Sequence, residues 1–170
     1  MGQRGARPDR QGSRARGPRR TRALSGSLPD SLAEIIDDFA SMPAEQRLAL
    51  LLEFSEGLPD LPAKYADHPE LLEPVPECQS PIFLAVEFEG DTEAERVVRL
   101  HFSAPPEAPT TRGFAGILHE GLDGLAPAAV LEVPEDLPLR LSLTDQVSPL
   151  RLRGMSGMLA RIKGQIRRAG

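Results

Sequence analysis

The apolar residues of this chain recur with helical spacing in several stretches and alternate along two others. A first helix is predicted by apolar residues at i, i+3, i+4 and i+7, namely Leu32, Ile35, Ile36 and Phe39. Asp30 or Ser31 precedes this stripe and is expected to cap the helix. A second helix is predicted to begin at Pro43 and to stop at Gly57. Because the second helix is apolar around most of its circumference, we expect it to be largely buried.

Further helices are predicted later in the chain. The third should span about residues 110–122, and we expect Gly113 and Gly116 to allow another helix to approach it closely. Shorter elements are expected near residues 127–131 and 137–143. The last helix has the clearest apolar stripe, formed by Met155, Met158, Leu159, Ile162 and Ile166. Basic residues in its final turn complement the helix dipole.

Two stretches, residues 82–88 and 96–103, alternate between apolar and polar side chains. This pattern is typical of β-strands with one face in water, and the polar residues 89–93 between them predict a hairpin turn. Residues 58–81 contain six prolines, so we expect an extended, irregular segment that leads into the first strand. The order of the elements predicts an α+β fold, in which several helices pack on one face of a small antiparallel sheet of about three strands.

Charge is distributed unevenly along the 170 residues. Residues 1–26 hold eight arginines and one aspartate, whereas the remaining 144 residues hold 12 basic and 24 acidic side chains. Because the first segment has almost no apolar residues, we expect residues 1–27 to be a disordered basic extension and residues 28–170 to form one domain. A basic arm can bind nucleic acid. A solvated tail, or a start codon assigned too far upstream, is the preferred interpretation because no folded basic face continues from the arm.

Neither an export signal nor a membrane span is predicted from the sequence. No apolar stretch follows the pair Arg19-Arg20, as a twin-arginine signal would require. The longest compact apolar run, residues 48–52, is far shorter than the roughly 20 residues of a membrane helix. Cys78 is the single cysteine, so it has no disulfide partner within the chain. These features predict a protein of a reducing compartment, the cytoplasm.

Cys78 lies in the polar, proline-rich segment 73–81, directly before the apolar residues of the first strand. This setting predicts a loop that runs into a strand. Two interpretations of the cysteine stay open. It is either a small, buried and unreactive thiol, the common state of a free cysteine, or an accessible nucleophile on a loop held by prolines.

Three histidines, His68, His101 and His119, are the other candidates for chemistry. They lie on different predicted elements and lack the short spacing of a metal site, so no metal is expected. A cysteine–histidine hydrolase is an alternative. Surface histidines are the preferred interpretation, because His101 alternates with solvent-facing strand residues and His119 lies in an ordinary amphipathic helix.

Three separated segments share a motif pattern with a known family. Residues 76–84 read PECQSPIFL, residues 91–118 end in TRGFAGIL, and residues 148–155 read SPLRLRGM. They resemble, in order, a G-C-Q-S-x-V-W cysteine segment, a strand followed by an x-R/K-G-x-x-A-x-L helix, and an S/T-P-x-R-x-x-G-L segment before the last helix. This combination is similar to the SufE family, the sulfur-acceptor proteins of iron–sulfur cluster assembly. The agreement extends over roughly residues 28–168.

The resemblance implies a SufE/NifU-like fold and a role as a sulfur-transfer accessory protein. It implies that Cys78 takes sulfur as a persulfide from a SufS-type cysteine desulfurase and passes it to an iron–sulfur scaffold of the SufBCD type. Pyridoxal phosphate belongs to the desulfurase, and no cofactor, membrane or nucleic-acid partner is expected for this chain. By its place in the motif, Arg151 is expected to stabilise the thiolate or persulfide, or to contact the partner. Gln79 and Ser80 are expected to support the loop.

The chain departs from the family pattern at two positions. Phe83 stands where the family usually has tryptophan, and it keeps an aromatic anchor. Glu77 stands where the family usually has glycine. Its carboxylate is expected to disfavour the Cys78 thiolate and so to raise the thiol pKa, or else to contact a basic surface of the partner. Besides the hydrolase, the alternative function is a regulatory protein that binds a desulfurase without carrying sulfur.

Overall fold

The computed structural model describes residues 28–170. Along this range the elements are α1 (Asp30–Ser41), α2 (Ala44–Gly57), α3 (Ala63–Asp67), a 3₁₀ turn (Pro69–Leu71), β1 (Glu73–Pro74), β2 (Phe83–Glu89), β3 (Val97–Ser103), α4 (Pro109–Leu122), α5 (Pro127–Leu131), a second 3₁₀ turn (Leu137–Leu141) and α6 (Pro149–Ala169). The predicted α+β class is confirmed. The basic extension predicted for residues 1–27 lies outside the described residues. Within residues 28–170, no helix is long and apolar enough to cross a membrane.

The three strands form an antiparallel sheet in the order β1-β2-β3. The short strand β1 meets β2 through the pair Glu73 and Leu84, while β2 and β3 pair along their whole length. The inward positions of β3 are those that the alternation predicts, since Val98, Leu100 and Phe102 are all buried. The sheet thus has one face on the main core, and β2 lies between the other two strands.

The outer face of the sheet is less exposed than the alternation predicts. Tyr65 of α3 and Leu72 form a second, small apolar cluster with Ala85 of β2, and Phe83 packs against it. Residues 58–81 are therefore only partly irregular, because they contain α3, a 3₁₀ turn and β1. Their apolar side chains bury part of the outer face, and this burial orders a segment that its prolines alone would leave extended.

Helix α4 is the central helix of the core, and two of its glycines face α2. A Cβ added at Gly113 would lie 2.6 Å from the carbonyl oxygen of Leu51, and one at Gly116 would collide with the carbonyl of Phe54. The expected close helix packing at these two glycines is confirmed. The backbones of α2 and α4 approach so closely that any side chain there would force them apart.

Helix α2 is much more exposed than predicted. Only Leu51 and Ser55 of this helix are buried, whereas Leu48 and Leu52 are 41% and 37% exposed. The prediction of a largely buried helix was wrong because α2 packs mainly against one neighbour, α4. A helix with one neighbour buries one stripe, however apolar its remaining surface is.

The first and last helices of the described residues differ in how they are capped. Neither Asp30 nor Ser31 caps α1; the Ser31 hydroxyl instead donates to the carbonyl oxygen of Gly121 at 2.6 Å and ties α1 to the end of α4. The predicted cap of α1 was therefore wrong. Helix α6 does have a side-chain cap, since the Ser148 hydroxyl accepts a hydrogen bond from the Arg151 N–H. Its predicted apolar stripe is buried throughout.

Arg112 joins three elements at the beginning of α4. Its guanidinium donates to the carbonyl oxygens of Ser55 at 2.9 Å, Ala104 at 2.8 Å and Leu58 at 3.3 Å. These carbonyls belong to α2, to the segment after β3 and to the loop after α2. Arg112 therefore fixes the beginning of α4, which forms one wall of the site described next.

Candidate functional site around Cys78

Cys78 lies in the loop of the β1–β2 hairpin. The loop is closed at its base, where the Val75 N–H donates to the carbonyl oxygen of Ile82 at 2.9 Å, and the side chains of both residues are buried. Inside the loop, the Cys78 N–H donates to the carbonyl oxygen of Val75 at 3.1 Å. Pro76 and Pro81 flank the loop and limit its backbone freedom. The hairpin thus carries the cysteine on a short loop with a fixed base.

The Cys78 thiol faces the first half of α6. Its Sγ donates to the carbonyl oxygen of Gly154 at 3.5 Å, and a Cβ added at Gly154 would lie 3.0 Å from Sγ. Cys78 is half-buried. Burial, together with the smaller effect of the neighbouring Glu77 carboxylate, raises the pKa of the Cys78 thiol to about 11. At neutral pH the thiol in this conformation is therefore protonated and partly covered.

The loop residue Glu77 also packs against α6. Its carboxylate accepts a hydrogen bond from Arg161 Nη2 at 2.8 Å, and a Cβ added at Gly157 would lie 2.7 Å from the Glu77 Cβ. A hydrogen bond from its own backbone N–H lowers the pKa of Glu77, and Arg161 lowers it further. Glu77 is therefore ionised at neutral pH. Its charge raises the thiol pKa in the direction expected from the sequence.

A cavity of about 210 Å³ opens beside the thiol. It is lined by Cys78, Gln79 and Ser80 of the loop, by residues 107–111 just before and at the beginning of α4, and by Leu150, Arg151 and Gly154 of α6. The fold thus brings Cys78, Gln79, Ser80 and Arg151 to one cavity although the last lies in a distant segment of the sequence.

Arg151 occupies the first turn of α6 at the edge of this cavity. Its backbone N–H is used by the Ser148 cap, while its exposed guanidinium has no hydrogen-bond or ion-pair partner within residues 28–170. The side chain is therefore not needed to begin the helix, and its positive charge remains available to a ligand or a partner at the cavity.

The histidines lie elsewhere in the fold. His101 and His119 line a separate cavity of about 420 Å³ beside β3 and α4, where His101 contacts Glu87 at 3.2 Å and His119 contacts Asp123 at 3.9 Å. His68 pairs with Glu70 on the surface. In the described part of the chain, no histidine lines the Cys78 cavity and no group of side chains has the arrangement of a metal site.

Comparison with known proteins places these features in a family. A family model described as "SufE: Fe-S metabolism associated domain" matches residues 33–166, which is most of the chain. The chain belongs to the SufE family. The SufE domain associates it with iron–sulfur metabolism.

Relatives within the SufE family agree over the same range. Uncharacterized SufE-like proteins of two Mycobacterium tuberculosis strains are 56% identical over 143 residues, which cover 84% of this chain and 96% of each relative. The solution structure of a hypothetical protein from Thermus thermophilus matches with a TM-score of 0.72 and 41% identity, covering 84% of this chain and 97% of that one. The SufE-like α+β fold expected from the sequence is thus confirmed.

Three α6 residues that contact the loop in this SufE domain were not identified from the sequence. Gly154, Gly157 and Arg161 are spaced i, i+3 and i+7 and so lie on one face of α6, where they receive Cys78 and Glu77. The signal that could have indicated them was the pair of glycines three residues apart in an otherwise regular amphipathic helix. Glycines three residues apart lie on the same face of a helix, where the missing side chains leave room for another segment to pack closely.

Proposed function

We propose that this SufE-family protein is a sulfur acceptor and carrier, and that Cys78 is its persulfide-carrying nucleophile. In this proposal the donor is a SufS-type cysteine desulfurase, whose turnover the protein stimulates by removing sulfur. The recipient is an iron–sulfur scaffold complex of the SufBCD type. The pyridoxal phosphate that releases sulfur from L-cysteine belongs to the desulfurase.

The observation that carries the proposal is the position of Cys78. The thiol lies on a short hairpin loop, half-buried against Gly154, and it borders a cavity that is also lined by Arg151, whose guanidinium is unpaired within residues 28–170. A thiol that serves only as core packing has no need of an adjacent cavity with an unpaired cation. A carrier thiol needs both partial cover, which limits oxidation, and access for a sulfur donor.

The transfer step is a thiol–persulfide exchange. The Cys78 thiolate attacks the outer sulfur of the donor cysteine persulfide. A bond forms between Cys78 Sγ and that sulfur, the bond between the two donor sulfurs breaks, and the donor cysteine leaves as a thiolate. The outer sulfur keeps its proton, so the negative charge passes from the Cys78 thiolate to the donor cysteine. No oxidant or reductant is consumed.

The role proposed for Arg151 follows from this charge balance. Each step passes through sulfur anions, and a guanidinium at the edge of the cavity stabilises them or holds a carboxylate of the partner. Gln79 and Ser80 line the same cavity and place their polar side chains beside the reacting sulfur. The raised pKa of Cys78 in this conformation disfavours the thiolate, so movement of the loop or binding of a partner that relieves the burial would favour the reactive form.

The hydrolase alternative receives no support from the arrangement, since no histidine among the described residues lines the Cys78 cavity. A purely regulatory protein that binds a desulfurase would also belong in the family. It differs from the carrier in leaving Cys78 unmodified, and this difference decides the experiment.

The test is intact-mass spectrometry of the protein after incubation with a SufS-type desulfurase and L-cysteine, beside Cys78→Ser. A carrier gains the mass of one sulfur atom, loses it on treatment with a thiol reductant, and shows no gain in Cys78→Ser. If an active desulfurase leaves the mass of the wild-type protein unchanged, the carrier role is wrong and the regulatory function takes its place.

A further inference from the structure

The contact between Glu77 and Arg161 joins the cysteine loop to α6 through a charged pair. Arg161 Nη2 donates to Glu77 Oε1 at 2.8 Å, and the stem of Glu77 crosses α6 at Gly157, where the lack of a side chain leaves room for it. Cys78 rests on Gly154, one turn earlier on the same face. Two consecutive loop residues therefore dock on one face of α6.

Few other directional contacts hold the tip of the loop. Pro76 and Pro81 have no N–H to donate, and the side chains of Gln79 and Ser80 make no hydrogen bond within the described residues. The Cys78 thiol is a weak donor, and its bond to the Gly154 carbonyl is long, at 3.5 Å. The Glu77–Arg161 ion pair is thus the strongest polar contact between the loop and α6.

We propose that Glu77 and Arg161 are positioning residues that hold the Cys78 loop against α6 in the resting protein, and that their ion pair breaks when the loop opens to expose the thiol. This inference rests on the proposed function only in its purpose, because the opened loop is the form that meets a sulfur donor. The closed loop itself is a property of the free protein and can be measured without any partner.

The strength of the ion pair suits a reversible contact. The two side chains are 34% and 37% exposed, so water competes for both charges. The Arg161 Nε is buried without a hydrogen-bond partner, which offsets part of the gain. A partly exposed pair of this kind shifts an opening equilibrium by roughly two- to fivefold. Such a shift favours the closed loop at rest and leaves it easy to open.

The test measures how fast the free, full-length protein is alkylated at Cys78 by iodoacetamide, at a fixed pH below the thiol pKa. Arg161→Gln removes the cation and leaves Glu77 charged. If the pair holds the loop closed, alkylation becomes roughly two- to fivefold faster, because the loop opens more often. If Arg161 acts only through its charge, alkylation becomes slower, because the uncompensated Glu77 carboxylate raises the pKa of the thiol further. An unchanged or slower rate overturns the proposal.

Two further variants separate loop opening from other effects. Arg167→Gln removes an exposed arginine of the same helix that has no ion-pair partner in the described range, and it should leave the rate unchanged. Arg47→Gln removes donors to the carbonyls of Phe39, Met42 and Ser142, far from Cys78, and so lowers global stability. If Arg47→Gln accelerates alkylation as much as Arg161→Gln does, exposure occurs through global unfolding and the proposal is wrong.

The outcome is independent of sulfur transfer. A faster Arg161→Gln reaction together with no persulfide in the mass experiment would retain the loop contact and reject the carrier function. The reverse result would retain the carrier and reject the contact.

Discussion

The thiol of Cys78 donates to the carbonyl oxygen of Gly154, a residue 76 positions later in the chain, and at this position α6 has no side chain. One helix thereby covers the cysteine and also carries Arg151, which lines the cavity beside the thiol, and Arg161, which pairs with the neighbouring Glu77. The cover of Cys78 thus depends on how its loop docks on α6, and this docking can be tested residue by residue.

The fit of the thiol against Gly154 predicts opposite effects at two glycines of α6. In Gly154→Ala the new Cβ would lie 3.0 Å from Sγ, and the crowding should outweigh the better helix propensity of alanine. In Gly164→Ala the Cβ meets only the flexible end of Arg168 at 3.3 Å, so the propensity gain should remain. We expect the two variants to differ by roughly 2 kcal/mol in the free energy of unfolding, measured in urea. An equal gain in unfolding free energy at both positions would show that the Cys78 loop accommodates the added methyl group at position 154 without being destabilised.

The buried thiol predicts a specific pH dependence. Its pKa is raised from 9.0 to about 11, so between these values the unfolded chain releases the proton while the folded protein keeps it. The folded state then binds more protons, and stability falls as pH rises. The contribution of Cys78 is therefore fully present below the lower value and is lost towards the upper one.

The measurement for this pH dependence is the difference in unfolding free energy between the wild type and Cys78→Ser across the alkaline range. We expect the wild type to lose stability relative to the variant, and its alkylation rate to keep rising about tenfold per pH unit until the thiol pKa is reached. A plateau near the pH expected for an exposed cysteine would contradict the burial of the thiol.

The unpaired guanidinium of Arg151 predicts a loss of function without a loss of fold. In Arg151→Gln the Ser148 cap uses the backbone N–H and is preserved, so thermal unfolding should change little. Under the proposed function, transfer of sulfur from a desulfurase should slow by about tenfold, since one charge-assisted contact is removed. Arg153→Gln, an exposed neighbour outside the cavity lining, is the matched control. Equal rates for both variants would remove Arg151 from the site.

The three carbonyls that accept from Arg112 predict a large cost for its removal. Arg112→Met keeps the apolar stem and leaves these acceptors without their donor, so we expect a loss of about 2–4 kcal/mol in unfolding free energy. Arg140→Met removes only an exposed pair with Asp136 and should cost less than about 1 kcal/mol. Similar urea midpoints for the two variants would show that the three hydrogen bonds of Arg112 do not stabilise the fold.

The spacing of residues along the chain predicted those parts of the fold that depend on one regular face of a single helix or strand. The stripe of α6, the buried glycines of α4 and the inward residues of β3 could each be identified from spacing, because each element buries one regular face. The burial of α2 could not, since Leu48 and Leu52 look like core residues and only the number of neighbouring helices decides whether they are covered.

The site was predictable only in part, for a related reason. The loop position of Cys78 follows from its prolines, and the placement of Arg151 beside it agrees with the family pattern. The partners of Glu77 and Ser31 lie 84 and 90 residues away, at Arg161 and Gly121. Contacts of this kind cannot be predicted from the periodicity of the sequence, because they depend on how helices and loops that are far apart in the chain pack against one another.

The large separation between Cys78 and α6 also affects the protein during its synthesis. The hairpin that carries Cys78 is made of neighbouring segments and can form soon after it leaves the ribosome, whereas its cover is translated 76 residues later. At roughly 5–20 residues per second, the thiol of each nascent chain is exposed for about 4–15 s before α6 can dock. Oxidants or electrophiles in the cell therefore meet this cysteine most easily during translation, before the fold that protects it is complete.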